Sequence, residues 1–210
     1  MIEYCRPIYI SMTEENQKKY KQMIKPLDLT NQLLVFDIDS TLYPETSNKE
    51  SFVINVFACY VSRETNKSIE QVLKIFNEEK SDPYETFPFK KLGVDSHSYK
   101  RALKEINYNK LYKEDKKLRA ALYALPYRKI CFTKNTVYAA RQTLLALGIS
   151  ECFEAVVCVK QNLYWTKLQK PFPESFRFVE NLFSIEDNAQ RQNIVFIDNS
   201  LDNIKAACFA

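Results

Sequence analysis

Hydrophobic and polar positions along the chain fall into two textures. From about residue 48 to 125, after the break at Tyr43-Pro44, apolar residues recur at helical spacing and nothing reads convincingly as a strand. Four helices are predicted there, near 48–65, 68–80, 96–107 and 115–125. Ile69, Val72, Leu73, Ile75 and Phe76 share one side of the second, and Leu118, Ala121, Leu122 and Leu125 one side of the last. Asp82-Pro83-Tyr84 and Phe87-Pro88-Phe89 mark a turn-rich connection among them. From Arg128 onward, short and almost continuously apolar runs predict strands at 129–133, 155–159 and 193–198, as expected for parallel strands covered on both faces. Helices near 136–147, closed by Gly148, and 173–185, opened by Pro173, lie between them. A further apolar run at 33–38 precedes the helical block. The pattern predicts an α/β protein whose parallel sheet has at least four strands, with the helical block inserted after the first. A polar stretch from Thr13 to Ile24, capped by Thr13 and ended by Lys25-Pro26, predicts one appended helix in residues 1–30. Its Lys18, Lys19 and Lys21 suit a solvated face or an acidic partner.

Composition narrows the chemistry. The chain has 210 residues, 46% of them hydrophobic, enough for a packed core domain with an insertion. Its formal charge of +4 comes from 30 basic and 26 acidic residues that are interspersed, so charge gives no reason to expect nucleic acid, while small anions remain compatible. Cys5, Cys59, Cys131, Cys152, Cys158 and Cys208 form no Cys-x-x-Cys pair and read as buried free thiols of a reducing compartment. His97 is the single histidine, which excludes a zinc site built on several imidazoles; its polar setting suits a helix N-terminal turn rather than a catalytic triad. No apolar run reaches the roughly 20 residues that cross a bilayer, and the N-terminus lacks signal-peptide order, so a soluble cytosolic protein is expected.

The strongest chemical signal is Asp37-Ile38-Asp39-Ser40-Thr41, where an apolar strand runs into two carboxylates one residue apart. Side chains alternate along a strand, so the two acids share a face unless the chain bends. Their repulsion has to be offset by a divalent cation, a shared proton or hydrogen-bond donors. With oxygen ligands all around, a hard cation such as Mg²⁺ fits. Thr133, Lys170-Pro171 and Asp198-Asn199 follow in order, and the ends of the predicted strands bring Asp37, Thr133 and Asp198 to one edge of the sheet.

With these motifs the chain resembles the haloacid dehalogenase-like phosphohydrolases over about 150 residues. The opening Asp37-Ile38-Asp39-x-Thr41-Leu42-Tyr43, the helical insertion and the ending Phe196-Ile197-Asp198-Asn199-Ser200-x-x-Asn203-Ile204 look most like the pyrimidine 5′-nucleotidase group. The resemblance implies a Rossmann-like core over 31–43 and 126–210 and a helical cap over 44–125. It implies Asp37 as nucleophile and Asp39 as acid/base, an acid that disfavours haloacid dehalogenation. It further implies Mg²⁺ held by Asp37, the backbone carbonyl of Asp39, Asp198 and Asn199, and phosphate contacts from Thr133 and Lys170. Lys160 and Lys167 compete with Lys170, and Thr133 and Asp198 could also serve as helix caps. The chain departs from the family at Lys134, where an asparagine is usual; either the cation replaces that amide or Asn135 supplies it through a shifted turn. It departs again at Asn199, usually a second acid, a loss that Asp202 could offset. The chain also stops soon after the last motif, so the sheet is expected to be one strand short. The implied substrate is a small phosphorylated metabolite, a pyrimidine nucleoside 5′-monophosphate by resemblance. A sugar phosphate is the alternative, and a catalytically weakened nucleotide-binding protein the alternative of another class. Cap aromatics such as Phe52, Phe57, Tyr60, Tyr84, Phe87 and Phe89 either stack on a base or pack the cap.

Overall fold

A computed structural model describes residues 6–45, 47–78, 91–160 and 166–209, without the side chains of 47, 48 and 96. The turn-rich connection, with Tyr84, Phe87 and Phe89, and also Cys5, lie outside the described residues. The chain divides into two compact units, one of residues 1–44, 112–160 and 166–210, the other of residues 45–111 and 161–165.

The first unit is a five-stranded parallel sheet flanked by helices. Its strands are β1 (Ile8–Ser11), β2 (Leu33–Phe36), β3 (Arg128–Thr133), β4 (Ala155–Cys158) and β5 (Ile194–Ile197), in the order β1-β4-β3-β2-β5. The four expected strands form within a residue or two of their predicted limits. The fifth, β1, comes from residues expected to supply only a helix. It pairs along its whole length with β4, Ile8 opposite Ala155 and Ser11 opposite Cys158. The expected helix follows as α1 (Glu14–Lys21), its N-terminus capped by the Thr13 side chain, with Lys18, Lys19 and Lys21 exposed.

Alternation along β2 explains the layers. Leu33 and Val35 face a core that Ile10, Met12, Ile130, Phe132 and Val157 share with Phe176, Val179 and Leu182 of helix α8 (Pro173–Leu182). Leu34 and Phe36 project to the opposite face, where Phe36 meets Phe153 edge to face at 5.9 Å. Helix α7 (Val137–Ala146), buried through Ala139, Ala140, Thr143 and Leu144, packs on β4 and β1. The expectation that every strand is covered on both faces fails at β5, an edge strand whose Val195 is 42% exposed.

Charge is also built into the lower sheet. Arg128, the first residue of β3, pairs with Glu154 and donates to the backbone oxygens of Lys25 (2.7 Å) and Pro26 (3.0 Å). These bonds fix the N-terminal segment to the sheet and satisfy a guanidinium that would be costly to bury unpaired. Cys131, Cys152 and Cys158 are buried free thiols as expected, but Cys59 and Cys208 are exposed, because each falls on the outer side of its helix.

The second unit is helical: α2 (Ser47–Thr65), α3 (Ile69–Glu78), α4 (Ser96–Glu105) and α5 (Tyr108–Leu111). Helix α2 packs on α3 and α4. Val72 and Phe76 are the buried residues of the predicted α3 stripe, whereas Ile69 is exposed. Phe57 and Tyr60 are buried within this unit, Phe57 against Tyr99 and Tyr60 as acceptor for Arg101. His97 lies in the first turn of α4, which Asp95 caps. The last predicted helix of the block, α6 (Lys116–Ala124), belongs to the first unit, with Leu122 buried and Ala121 exposed. No described helix is long and apolar enough to cross a membrane.

Candidate active site

Strand register gathers the site. Phe36 pairs with Ile197 on one side and with Cys131 on the other. The next residues of β2 and β5, Asp37 and Asp198, therefore leave the sheet side by side, and the Asp37 amide donates to the Ile197 carbonyl at 2.8 Å. The strand ends at Phe36, so Asp37 and Asp39 follow just beyond it, with Ile38 fully buried between them in the chain. Ser40 then takes a left-handed conformation (φ 57°) and turns the chain. In this turn the amides of Thr41 and Leu42 reach back to the Ile38 carbonyl.

Lys170 is the centre of the arrangement. Its ammonium donates to Asp37 Oδ1 at 2.7 Å and to Asp198 Oδ2 at 2.5 Å, and its side chain is wholly buried. Above it lie the rings of Phe132 and Phe196, with centroids 5.2 and 5.5 Å from Nζ. Of the three lysines weighed from the sequence, only Lys170 stands here; Lys160 is exposed and Lys167 pairs with Glu174.

The remaining bonds hold the loops in register. Thr41 Oγ1 donates to Asp37 Oδ2 (3.1 Å) and accepts from the Asn199 amide (3.1 Å), tying the β2 loop to the β5 loop. Asp198 Oδ1 accepts from the Ser200 amide at 2.8 Å, and Asn203 Nδ2 donates to both Asp198 oxygens at 2.9 and 3.0 Å. Ser200 Oγ, rather than Asp198, takes the Asn203 amide in the first turn of α9 (Leu201–Phe209). The two oxygens of Asp39 accept from the Tyr43 hydroxyl and from Asn135 Nδ2. Thr133 is buried, and its Oγ1 accepts the Asn135 amide at 3.0 Å. At the departure at 134, the Asn135 side chain reaches Asp39 while Lys134 is exposed. Asn199 and Asp202 are exposed, and the Asn199 contact made is its amide.

Burial raises the Asp37 pKa above the usual carboxylate value despite Lys170, and the nearby Asp198 and Asp39 push it further the same way. Asp37 and Asp198 thus share one buried ammonium, which leaves a deficit of positive charge at Asp37. Among the described residues no three His, Cys, Asp or Glu side chains form a metal cage. Two carboxylates, a backbone carbonyl and an amide oxygen are instead the sparse, all-oxygen set that suits Mg²⁺, which keeps several waters and shares its shell with phosphate. The donor chemistry and the charge deficit therefore fit a divalent cation.

Three contributors carry no role in the sequence reading. Asn203 and Tyr43 stand in the quoted motifs, one five residues beyond Asp198 and the other four beyond Asp39, spacings at which a turn or helix returns a side chain. Tyr112, whose ring meets Tyr43 edge to face at 4.8 Å and whose hydroxyl lies 3.4 Å from that of Tyr43, is 69 residues away in sequence and gives no local signal.

Residues 32–208 match the family model of haloacid dehalogenase-like hydrolases. Among solved structures, the chain is similar to a Thermotoga maritima protein described as a β-phosphoglucomutase, at 17% identity and TM-score 0.54, over 85% of this chain and 81% of that one. It is also similar to the L-2-haloacid dehalogenase of Xanthobacter autotrophicus, at 15% identity and TM-score 0.49, over 85% and 74% of the two chains. A Haemophilus somnus 129pt protein described as a phosphoglycolate phosphatase is similar at 18% identity and TM-score 0.49, over 86% and 82%.

Proposed function

The chain belongs to the haloacid dehalogenase-like hydrolases, and from that premise we propose that it is a Mg²⁺-dependent phosphomonoester hydrolase acting through an aspartyl-phosphate. The observation that carries this reading is the buried Lys170 ammonium, bonded at once to Asp37 and Asp198. Such a cation favours the ionised form of Asp37, opposing the effect of burial, and supplies positive charge where a phosphoryl group would arrive.

In this reading an Asp37 carboxylate oxygen attacks phosphorus, the bond to the ester oxygen breaks, and Asp39 gives its proton to the departing alkoxide. Water then attacks the aspartyl-phosphate, its proton passes to Asp39, and inorganic phosphate and the Asp37 carboxylate are regenerated. Thr133 and Lys170 bind phosphoryl oxygens, and Asn135 serves Asp39 rather than the phosphate alone. Asp37, the Asp39 carbonyl, Asp198 and Asn199 would hold Mg²⁺, whose charge offsets repulsion between phosphate and the attacking carboxylate. Lys134, exposed beside this site, stays available to the anionic substrate.

The resemblance of the opening and closing motifs supports pyrimidine nucleoside 5′-monophosphates as substrates. Purified protein with Mg²⁺, assayed against UMP, CMP, AMP and sugar phosphates beside Asp37→Asn, tests both levels. Phosphate release by the wild type but not the variant is expected, with UMP or CMP preferred. Preference for a sugar phosphate would replace the substrate class. No release above the variant on any substrate would overturn the enzyme reading in favour of a phosphate-binding protein.

A further inference from the structure

Asp39 is gripped by two donors from opposite sides, and one of them leads to a second tyrosine. Tyr43 donates to Oδ1 and Asn135 to Oδ2. The Tyr43 ring is itself set edge to face against Tyr112, which is 7% exposed. All four residues belong to the sheet unit. An aspartate has two side-chain torsions, and a donor on each oxygen fixes both.

We propose that Tyr43, backed by Tyr112, is a positioning residue that orients the Asp39 carboxyl group toward the leaving-group oxygen. The role rests on the phosphomonoesterase reading above. It acts on the step in which the phosphorus–oxygen ester bond breaks and the Asp39 proton passes to the departing oxygen. The demand for that proton depends on the leaving group: p-nitrophenolate leaves unaided, whereas phenolate needs protonation.

The test is a single-turnover assay with enzyme in excess, following p-nitrophenol and phenol release from the two phosphates by wild type, Tyr43→Phe and Tyr112→Phe. General acid catalysis contributes about a hundredfold or more, so disorienting the acid in Tyr43→Phe is expected to slow phenyl phosphate by about tenfold. The p-nitrophenyl phosphate rate should stay within about threefold, and Tyr112→Phe should shift the ratio in the same direction by less. A structural role alone would slow both substrates equally, and equal slowing or no slowing overturns the proposal. If Tyr43→Phe does not fold, an unchanged ratio in folded Tyr112→Phe overturns it. A wild type inactive on both substrates refutes the phosphomonoesterase reading itself, whereas an active wild type with an unaltered ratio refutes only the positioning role.

Discussion

Replacing Lys170 with methionine tests how the site is held together, since it keeps the stem under Phe132 and Phe196 and removes only the charge. Lys170 is buried and bonded to both Asp37 and Asp198. Asp198 retains the Ser200 amide and the Asn203 side chain, but Asp37 loses its cation and keeps the Thr41 hydroxyl. Breaking a buried pair from one side costs about 3–5 kcal/mol, and for a chain of this size that lowers the melting temperature on the order of 10 °C. The loss depends on pH, with a sign set by Asp37. Its pKa is already raised in the folded protein because burial outweighs Lys170, and loss of the cation raises it further. An acid with a raised folded pKa binds its proton more tightly when folded, so the penalty is small near the unfolded pKa and grows as pH rises through the folded one. Urea unfolding followed by far-ultraviolet circular dichroism, in EDTA at about pH 5 and about pH 7.5, measures both effects. A penalty below about 1 kcal/mol at the higher pH, or the same penalty at both, would refute a Lys170 that neutralises buried carboxylates.

Two further substitutions probe the metal and a turn. Asn199→Asp restores a second acid beside Asp198 and is expected to lower the Mg²⁺ concentration for half-maximal activity by about tenfold, because ligand charge sets divalent affinity; an unchanged Mg²⁺ titration removes Asn199 from the metal shell. Gly148→Ala should cost about 1–2 kcal/mol in urea unfolding, since Gly148 has φ +70° and an added Cβ would stand 2.7 Å from Glu114 Cγ; a loss below about 0.5 kcal/mol would mean that the Glu114 side chain and the turn relax at little cost.

Sequence alone specified those features that depend on local composition. The runs at 33–38, 129–133, 155–159 and 193–198 were legible because parallel strands buried in a sheet are apolar nearly throughout. The helical insertion was legible in its period, and the carboxylates at Asp37, Asp39 and Asp198 in their positions after strands. Strand β1 was not legible, since a four-residue run has no period to distinguish it and becomes a strand only by pairing with β4. The exposure of Val195 was hidden for the same reason: edge or centre is a property of strand order, not of the strand.

At the site, the placing of Lys170 between Asp37 and Asp198, the bond from Asn135 to Asp39 and the backing of Asp39 by Tyr43 and Tyr112 come from tertiary structure. The acids are adjacent to their strands and so were written into the sequence. Their donors arrive from loops 28 to 133 residues away for Lys170 and 96 for Asn135, and only packing the sheet brings such side chains within hydrogen-bond reach. A buried charge is tolerated where its partners converge, and that convergence exists in the folded chain alone.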